Sequence, residues 1–297
     1  MKVAVLRFSA LGDLASLRPY LLALSERPVL ITTPMGVALY EDDVDRFLVL
    51  KSKTWQNHLS LIREVRRERF DLLIDMQQND RSRLVRTLSG ARKVIARRPE
   101  DLSSLGVIWQ QMLAPSGLLR APDMSFAAKP RNYVVLNMGS SQKWLSKRLP
   151  DAKWVEIASF LHGRFGLPFL LTGDASERAY VERLATLLPG RTENKAGQTD
   201  LNELKRLLQG AFLTVSTDSA AMHLSASMKT PTIGIFGATN WQKSGPVGPW
   251  TRAVYDHTYY PGGVPPSLSQ TERRAYYEHV DVSEAVESLM PYLSLAV

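Results

Sequence analysis

Short apolar runs alternate with amphipathic stretches along most of this chain, and that alternation confines it to an α/β fold. Val3-Ala4-Val5-Leu6, Val29-Leu30-Ile31-Thr32-Thr33, Phe47-Leu48-Val49-Leu50, Asp71-Leu72-Leu73-Ile74-Asp75-Met76 and Val94-Ile95-Ala96 read as strands. Runs with so little polar alternation suit parallel strands covered on both faces. Helices are predicted over 55–67, with Leu59, Ile62 and Val65 inward, and around Leu84, Val85 and Leu88. The pattern lapses over 114–130, which holds Pro115, Gly117, Pro122 and Pro130 and reads as an interdomain connection. It then resumes with strands at 133–137, 169–172, 212–215 and 232–236. Helices are predicted near 154–161, 176–187, 201–208, 219–227 and 282–293, and the Gly- and Pro-rich segment 260–266 as an irregular loop. The chain therefore reads as two α/β halves in tandem.

A length of 297 residues with 44% hydrophobic residues supports substantial cores without staples. The absence of Cys excludes disulfides, thiol catalysis and Cys-based metal sites, and fits a reducing compartment. No apolar run is long enough for a membrane span, and the first residues make a poor signal peptide, so a cytoplasmic protein is expected. The net charge of +8 favours anionic partners. Much of it is clustered: Arg63, Arg66, Arg67 and Arg69, then Arg81, Arg83, Arg86, Arg92, Lys93, Arg97 and Arg98. The plain reading of the first cluster is a solvated helix face partly balanced by Glu64 and Glu68.

Four stretches could carry chemistry. Arg7-Phe8-Ser9-Ala10-Leu11-Gly12-Asp13 turns from the first strand into a helix, and Gly12 keeps that turn free of side-chain bulk. Asp13 is either a helix cap or a general base at the carboxyl edge of a parallel sheet. Ser216-Thr217-Asp218-Ser219 leads into another helix whose free N–H groups can hold a phosphate, with the Thr217 and Ser219 hydroxyls assisting. His223, further along that helix, is equally readable as a satisfied core histidine. Lys147 and Arg148 follow the Gly139-Ser140-Ser141 loop and precede a helix, where a ligand anion or plain solvent would account for them. Gly173-Asp174-Ala175-Ser176-Glu177 offers Ser176 as an N-cap and Asp174 or Glu177 for a ribose or base. There is no Walker loop, no G-x-G-x-x-G, no G-x-S-x-G elbow and no dense metal constellation.

These stretches resemble a known family. Val5 to Asp13 is similar to the N-terminal signature of the bacterial heptosyltransferases, glycosyltransferase family 9, and Phe70 to Gln77 to its central N-domain strand. Lys147 to Pro150 resembles its basic loop, and Asn194 to Thr199 the segment before its next helix. Thr217 to His223, with Pro231 to Gly237, resembles its C-domain hallmark. The matches keep their order over about residues 1–240. Two departures stand out: Ala220 replaces the usual Gly and would tighten a donor-phosphate pocket, and the chain is short for the family, with trimmed acceptor-facing loops expected.

The resemblance implies a GT-B fold of two Rossmann-like domains facing a central cleft. Residues 1–128 would bind acceptor, residues 129–280 would bind nucleotide sugar, and a C-terminal helix over 281–297 would cross back to the first domain. It implies an inverting, metal-independent transfer without cofactor, of heptose from ADP-heptose to the lipopolysaccharide inner core or another phosphorylated glycolipid. Asp13 would be the base. Ser140, Ser141, Lys147, Glu177, Thr217, Asp218, Ser219, Ala220 and His223 would serve the donor, and Ser9, Arg81, Arg83 and Arg86 the acceptor. A monomer is expected, peripheral on the inner face of the cytoplasmic membrane at its anionic surface, with no nucleic-acid partner. The competing readings are another nucleotide sugar or acceptor on the same fold, a nicotinamide oxidoreductase disfavoured by the missing Gly-rich fingerprint, and a nucleic-acid binder supported by charge alone.

Overall fold

The computed structural model describes residues 1–96, 104–140, 142–263 and 277–295. Arg97, Arg98, Ser141 and the end of the 260–266 loop lie outside them. The chain divides into two compact units, Met1–Asp123 and Met124–Val297.

The first unit runs β1 (Val3–Leu6), α1 (Leu11–Leu22), β2 (Val29–Thr32), α2 (Pro34–Tyr40), β3 (Phe47–Val49), α3 (Trp55–Glu68), β4 (Leu72–Asp75), α4 (Asp80–Leu88), β5 (Lys93–Ile95) and α5 (Leu105–Leu113). Its strands pair in parallel in the order β3-β2-β1-β4-β5. Ala4, Leu6, Ile31 and Leu73 of the sheet pack with Leu61, Ile62 and Val65 of α3 in one buried cluster. Ile62 and Val65 are inward as the 3.6-residue spacing anticipates, while Leu61 takes the buried place expected for Leu59, which is only half-buried.

The second unit runs β6 (Val134–Asn137), α6 (Asp151–Phe165), β7 (Phe169–Thr172), α7 (Arg178–Ala185), β8 (Thr192–Asn194), α8 (Leu201–Gly210), β9 (Leu213–Thr217), α9 (Ala220–Ser227), β10 (Thr232–Ile235), α10 (Trp241–Ser244), β11 (Thr251–Val254) and α11 (Ser283–Leu293). A short 3-10 turn, Gln142–Lys147, precedes α6. The sheet order is β11-β10-β9-β6-β7-β8, again all parallel. Each sheet reverses its direction of growth once, between β1 and β4 and between β6 and β9. At such switch points the loops leaving neighbouring strands diverge and leave room for a ligand.

Several elements depart from the sequence reading. The helices α2 and α5 and the strands β8 and β11 occupy segments with no assigned element. β8 and β11 are edge strands of three and four residues, too short for a periodic signal. In α5 the packing decides: Trp109 Nε1 donates to Ser16 Oγ of α1 at 3.0 Å. Val286, Leu289 and Leu293 of α11 lie in the core of the second unit with Ile233 and Val254. An apolar stripe declares that a helix must be covered, and leaves open by what.

Gly197 shows how tightly the β8–α8 connection is drawn. Its φ is +68°, and a Cβ there would stand 2.6 Å from the Ala175 Cα. Gly197→Ala should cost about 2 kcal/mol or more, from a left-handed backbone and a backbone clash together. A melting curve checks this; an unchanged midpoint would mean the two loops separate freely.

Candidate active site

In the first unit the switch point carries the turn after β1 and the loop after β4. Asp13 lies in the first turn of α1, and its Oδ2 takes both contacts: Arg7 Nη2 at 2.5 Å and the Ala10 backbone N–H at 3.2 Å. Oδ1 accepts no hydrogen bond among the described residues. Asp13 is thus a cap and also the counterion of a buried arginine. Arg7 is 8% exposed; it donates to the Met76 carbonyl and lies 5.1 Å from the Trp109 ring centroid. Burial pulls its pKa below the usual arginine value, and the Asp13 carboxylate acts the other way. The sequence reading passed over Arg7. Its signal was a charge set directly against an apolar strand, where an unpaired guanidinium is costly.

The β4 loop holds this turn in place. Gln77 Oε1 accepts the Phe8 and Ser9 N–H groups at 2.9 Å each. Buried Asp75 accepts from Gln77 and Gln78 N–H at 3.0 Å, Ser82 Oγ at 2.9 Å and Arg86 Nη1 at 3.1 Å. Arg86, expected at the acceptor, is therefore tied to a buried carboxylate and fastens α4 to the end of β4. Arg81, Arg83 and Ser9 are exposed at the same sheet edge.

The second switch point is organised by Asn137, which the sequence reading also missed. Asn137 stands in register with Ser216 and Thr172 on its two neighbouring strands. Its Nδ2 donates to Ser216 Oγ at 3.1 Å and Ser219 Oγ at 3.0 Å, and its Oδ1 accepts from Thr172 Oγ1 at 3.1 Å. Ser219 occupies the N-cap of α9, yet its hydroxyl is drawn back to Asn137 and Ser216 and caps no helix N–H. The first amides of α9, beginning with half-buried Ala220, keep their capacity for an anion. Thr217 Oγ1 donates to the Gly139 carbonyl at 2.6 Å, so that hydroxyl serves the fold where a phosphate contact was expected. His223 is buried within α9.

Lys147 pairs with Asp218: Nζ to Oδ2 is 2.8 Å, with both side chains largely buried. The carboxylate near Lys147 in sequence, Asp151, pairs with Arg183, and the fold supplies Lys147 with one 71 positions away. The pair brings a cation to the start of α9. Tyr277, buried, donates from its hydroxyl to the Ser146 carbonyl at 3.0 Å and so steadies the residue before Lys147.

Arg148 reaches the Ser140 carbonyl at 3.0 Å and Glu177 Oε1 at 3.3 Å. The other Glu177 oxygen accepts the Asp174 N–H at 2.9 Å. Burial pushes the Glu177 carboxyl above the usual range, against the pull of that N–H and of Arg148. A Cβ on Gly139 would stand 2.2 Å from this carboxylate, so a larger residue there would push the Glu177 head group out of its place. Both Glu177 oxygens are engaged inside the unit, and the residue holds the 138–140 loop instead of standing open to a ribose. The cap of the following 3-10 turn is Asp174, which accepts the Ser176 and Glu177 N–H groups, not Ser176.

Among the described residues, no group of three His, Cys, Asp or Glu could hold a metal ion. The Lys147–Asp218 pair predicts a split outcome. Lys147→Ala should cost roughly 2 kcal/mol of stability by stranding a buried carboxylate, and should also weaken nucleotide-sugar binding. Adding Asp218→Ala should restore part of the stability without restoring affinity. Calorimetric titration and melting of both variants test this, and unchanged affinity in the single variant would remove Lys147 from the site.

The chain matches known proteins along most of its length. The family model described as glycosyltransferase family 9 (heptosyltransferase) matches residues 109–262. Lipopolysaccharide heptosyltransferase 3 of Escherichia coli is 30% identical over 180 residues, 57% of this chain and 50% of that protein. The chain thus spans about half the length of this curated relative. Two solved structures share the fold. The glycosyl transferase family 9 protein of Veillonella parvula DSM 2008 superposes with a TM-score of 0.79 at 16% identity, covering 99% of this chain and 97% of that one. The ADP-heptose LPS heptosyltransferase II of E. coli superposes with a TM-score of 0.75 at 15% identity, covering 99% of both chains. Two Rossmann-like parallel sheets with paired switch points are the GT-B class of α/β fold. With the family match extending over more than half of its residues, the chain belongs to glycosyltransferase family 9.

Proposed function

We propose that this protein is an inverting glycosyltransferase that moves heptose from ADP-heptose to a hydroxyl of the lipopolysaccharide inner core or a related phosphorylated glycolipid. The observation that carries this reading is the asymmetric Asp13 carboxylate. Arg7 and the Ala10 N–H anchor Oδ2, and Oδ1 is left as an acceptor beside the first switch point. A carboxylate oriented through one oxygen can take a proton through the other. In the transfer, the acceptor oxygen attacks the anomeric carbon as its proton passes to Asp13. The bond from that carbon to the diphosphate oxygen breaks on the opposite face, and the configuration inverts.

The leaving diphosphate then carries the developing charge. Lys147 and the open amides of α9 are the groups suited to receive it. Lys147 already faces Asp218, so donor phosphate has to share that cation or draw it away. Base and leaving-group residues come from different units of the chain. Exposed Arg81 and Arg83 are assigned to acceptor phosphates, with Arg86 removed from that set. ADP-heptose as donor is supported by the likeness to family members whose names carry that sugar. The anionic inner face of the cytoplasmic membrane is the proposed place of work. No described helix is long and apolar enough to cross a membrane.

Asp13→Asn should lower turnover by about 10²–10⁴ with ADP-heptose affinity retained. It should also lose about 1–3 kcal/mol of stability, because Arg7 is left without its counterion. Turnover with a lipopolysaccharide-core acceptor, measured well below the melting midpoint, tests the assignment. Near-parental turnover would end the general-base role, and transfer from a different nucleotide sugar in a donor panel would overturn the heptose assignment.

A further inference from the structure

The basic cluster on α3 has no part in the chemistry above. Arg63, Arg66, Arg67 and Arg69 are all exposed and together line one concave surface of ≈ 690 Å³. The acidic residues that seemed to balance them do not. Glu68 is bonded to Lys2 at 2.6 Å and to Arg46, and Glu64 accepts from Ser60 at 3.3 Å. None of the four arginines pairs with a carboxylate among the described residues. Like charges three and four residues apart on a helix repel one another. Favourable placement at the helix C-terminus offsets that in part.

Arg69 adds an independent sign. It caps α3 with φ 51°, a left-handed conformation that glycine adopts without strain. The chain places a guanidinium there, beside the other three.

The other end of the same helix bears Trp55, 60% exposed. Trp55 and Arg66 are eleven residues apart, which at 3.6 residues per turn puts them within about 20° on one outer face. A helix with a buried apolar side and an outer face of arginines and one exposed tryptophan has the composition of a surface that lies on lipid headgroups. A nucleic-acid surface would interleave several aromatics for base stacking, and α3 exposes one.

We propose that the outer face of α3, Trp55 with Arg63, Arg66, Arg67 and Arg69, docks on the anionic phosphate headgroups of a lipid bilayer. This deepens the glycolipid reading and rests on it for the orientation of the acceptor. α3 spans 14 residues, roughly 20 Å. Its arginine end leads into the start of β4, and Asp13 follows the opposite ends of the strands. Docked along α3, the protein holds its acceptor edge about one helix length from the arginine contact, within reach of sugars that project from the membrane.

The test is co-sedimentation of the full chain with vesicles of phosphatidylcholine alone and of phosphatidylcholine mixed with phosphatidylglycerol. Binding should require the anionic lipid and fall as salt rises. Each Arg→Gln should weaken partitioning about fivefold. The combination R63Q/R66Q/R67Q/R69Q should lose at least about two orders of magnitude, with an unchanged melting midpoint. A control of equal charge loss, R120Q/K129Q/R191Q/R206Q, changes exposed cations elsewhere and should bind nearly as the parent does. Equal loss in both variants would reduce the effect to net charge and overturn the proposal. So would failure of the parent to bind anionic vesicles, or arginine-dependent binding of an oligonucleotide without vesicle binding. Transfer to a lipid-free core oligosaccharide is measured alongside and should not change in the α3 variant. Vesicle binding without transfer would sink the catalytic reading and leave the docking face standing; transfer without vesicle binding would do the reverse.

Discussion

Everything in this protein hangs on strands that all run the same way. A parallel sheet sends every strand's carboxyl end to one edge, and the connections there part company once, at the switch point. In the first unit β1 and β4 flank that point, and in the second β6 and β9 do. Four strands end on a polar residue: Asp75 ends β4, Asn137 ends β6, Thr172 ends β7 and Thr217 ends β9. Asp75, Asn137 and Thr217 are each hydrogen-bonded to a neighbouring loop, and Thr172 to Asn137 on the adjacent strand. Buried polar groups cost free energy unless paired. The pairing fixes the loops, and the loops carry Asp13, Lys147 and Asp218.

Charge is managed in the same way. Arg7 with Asp13, Lys147 with Asp218 and Arg148 with Glu177 are each closed within one unit. Removing one partner of such a pair leaves an uncompensated charge, which is more damaging than the pair is stabilising. Under the proposed function, the first two pairs supply the carboxylate for the hydroxyl proton and the cation for the diphosphate charge. The third, held beneath Gly139, keeps the loop before Lys147 in position. Substitutions at these six residues will therefore mix stability with function. Only measurements that read both can separate them.

Local signals carried the fold a long way. Apolar runs marked the central strands of both sheets, and glycine and proline marked 114–130, within which the chain passes from one compact unit to the other. Asp13, Asp218 and Ser219 were visible because they stood where an apolar run turns into a helix, and Lys147 because it preceded one. Arg7, Asn137 and Tyr277 were passed over, since each acts on a residue distant in sequence or on the far side of a turn. Trp109 went unnoticed with α5, whose place against α1 is set by packing across nearly the whole first unit.

The sequence by itself determined the class of architecture, the tandem halves and the polar loops that follow the central strands. Periodicity and turn residues are local properties, and burial of an apolar face follows from them. Tertiary structure alone decided the partners. Asp218 neutralises Lys147, Asp75 claims Arg86, Thr217 turns its hydroxyl to Gly139, Glu68 is drawn away from the α3 arginines, and α11 stays with the second core. Composition counts those charges and hydroxyls but cannot pair them. Pairing depends on distances of a few ångströms between residues tens of positions apart, and strand order and register set those distances.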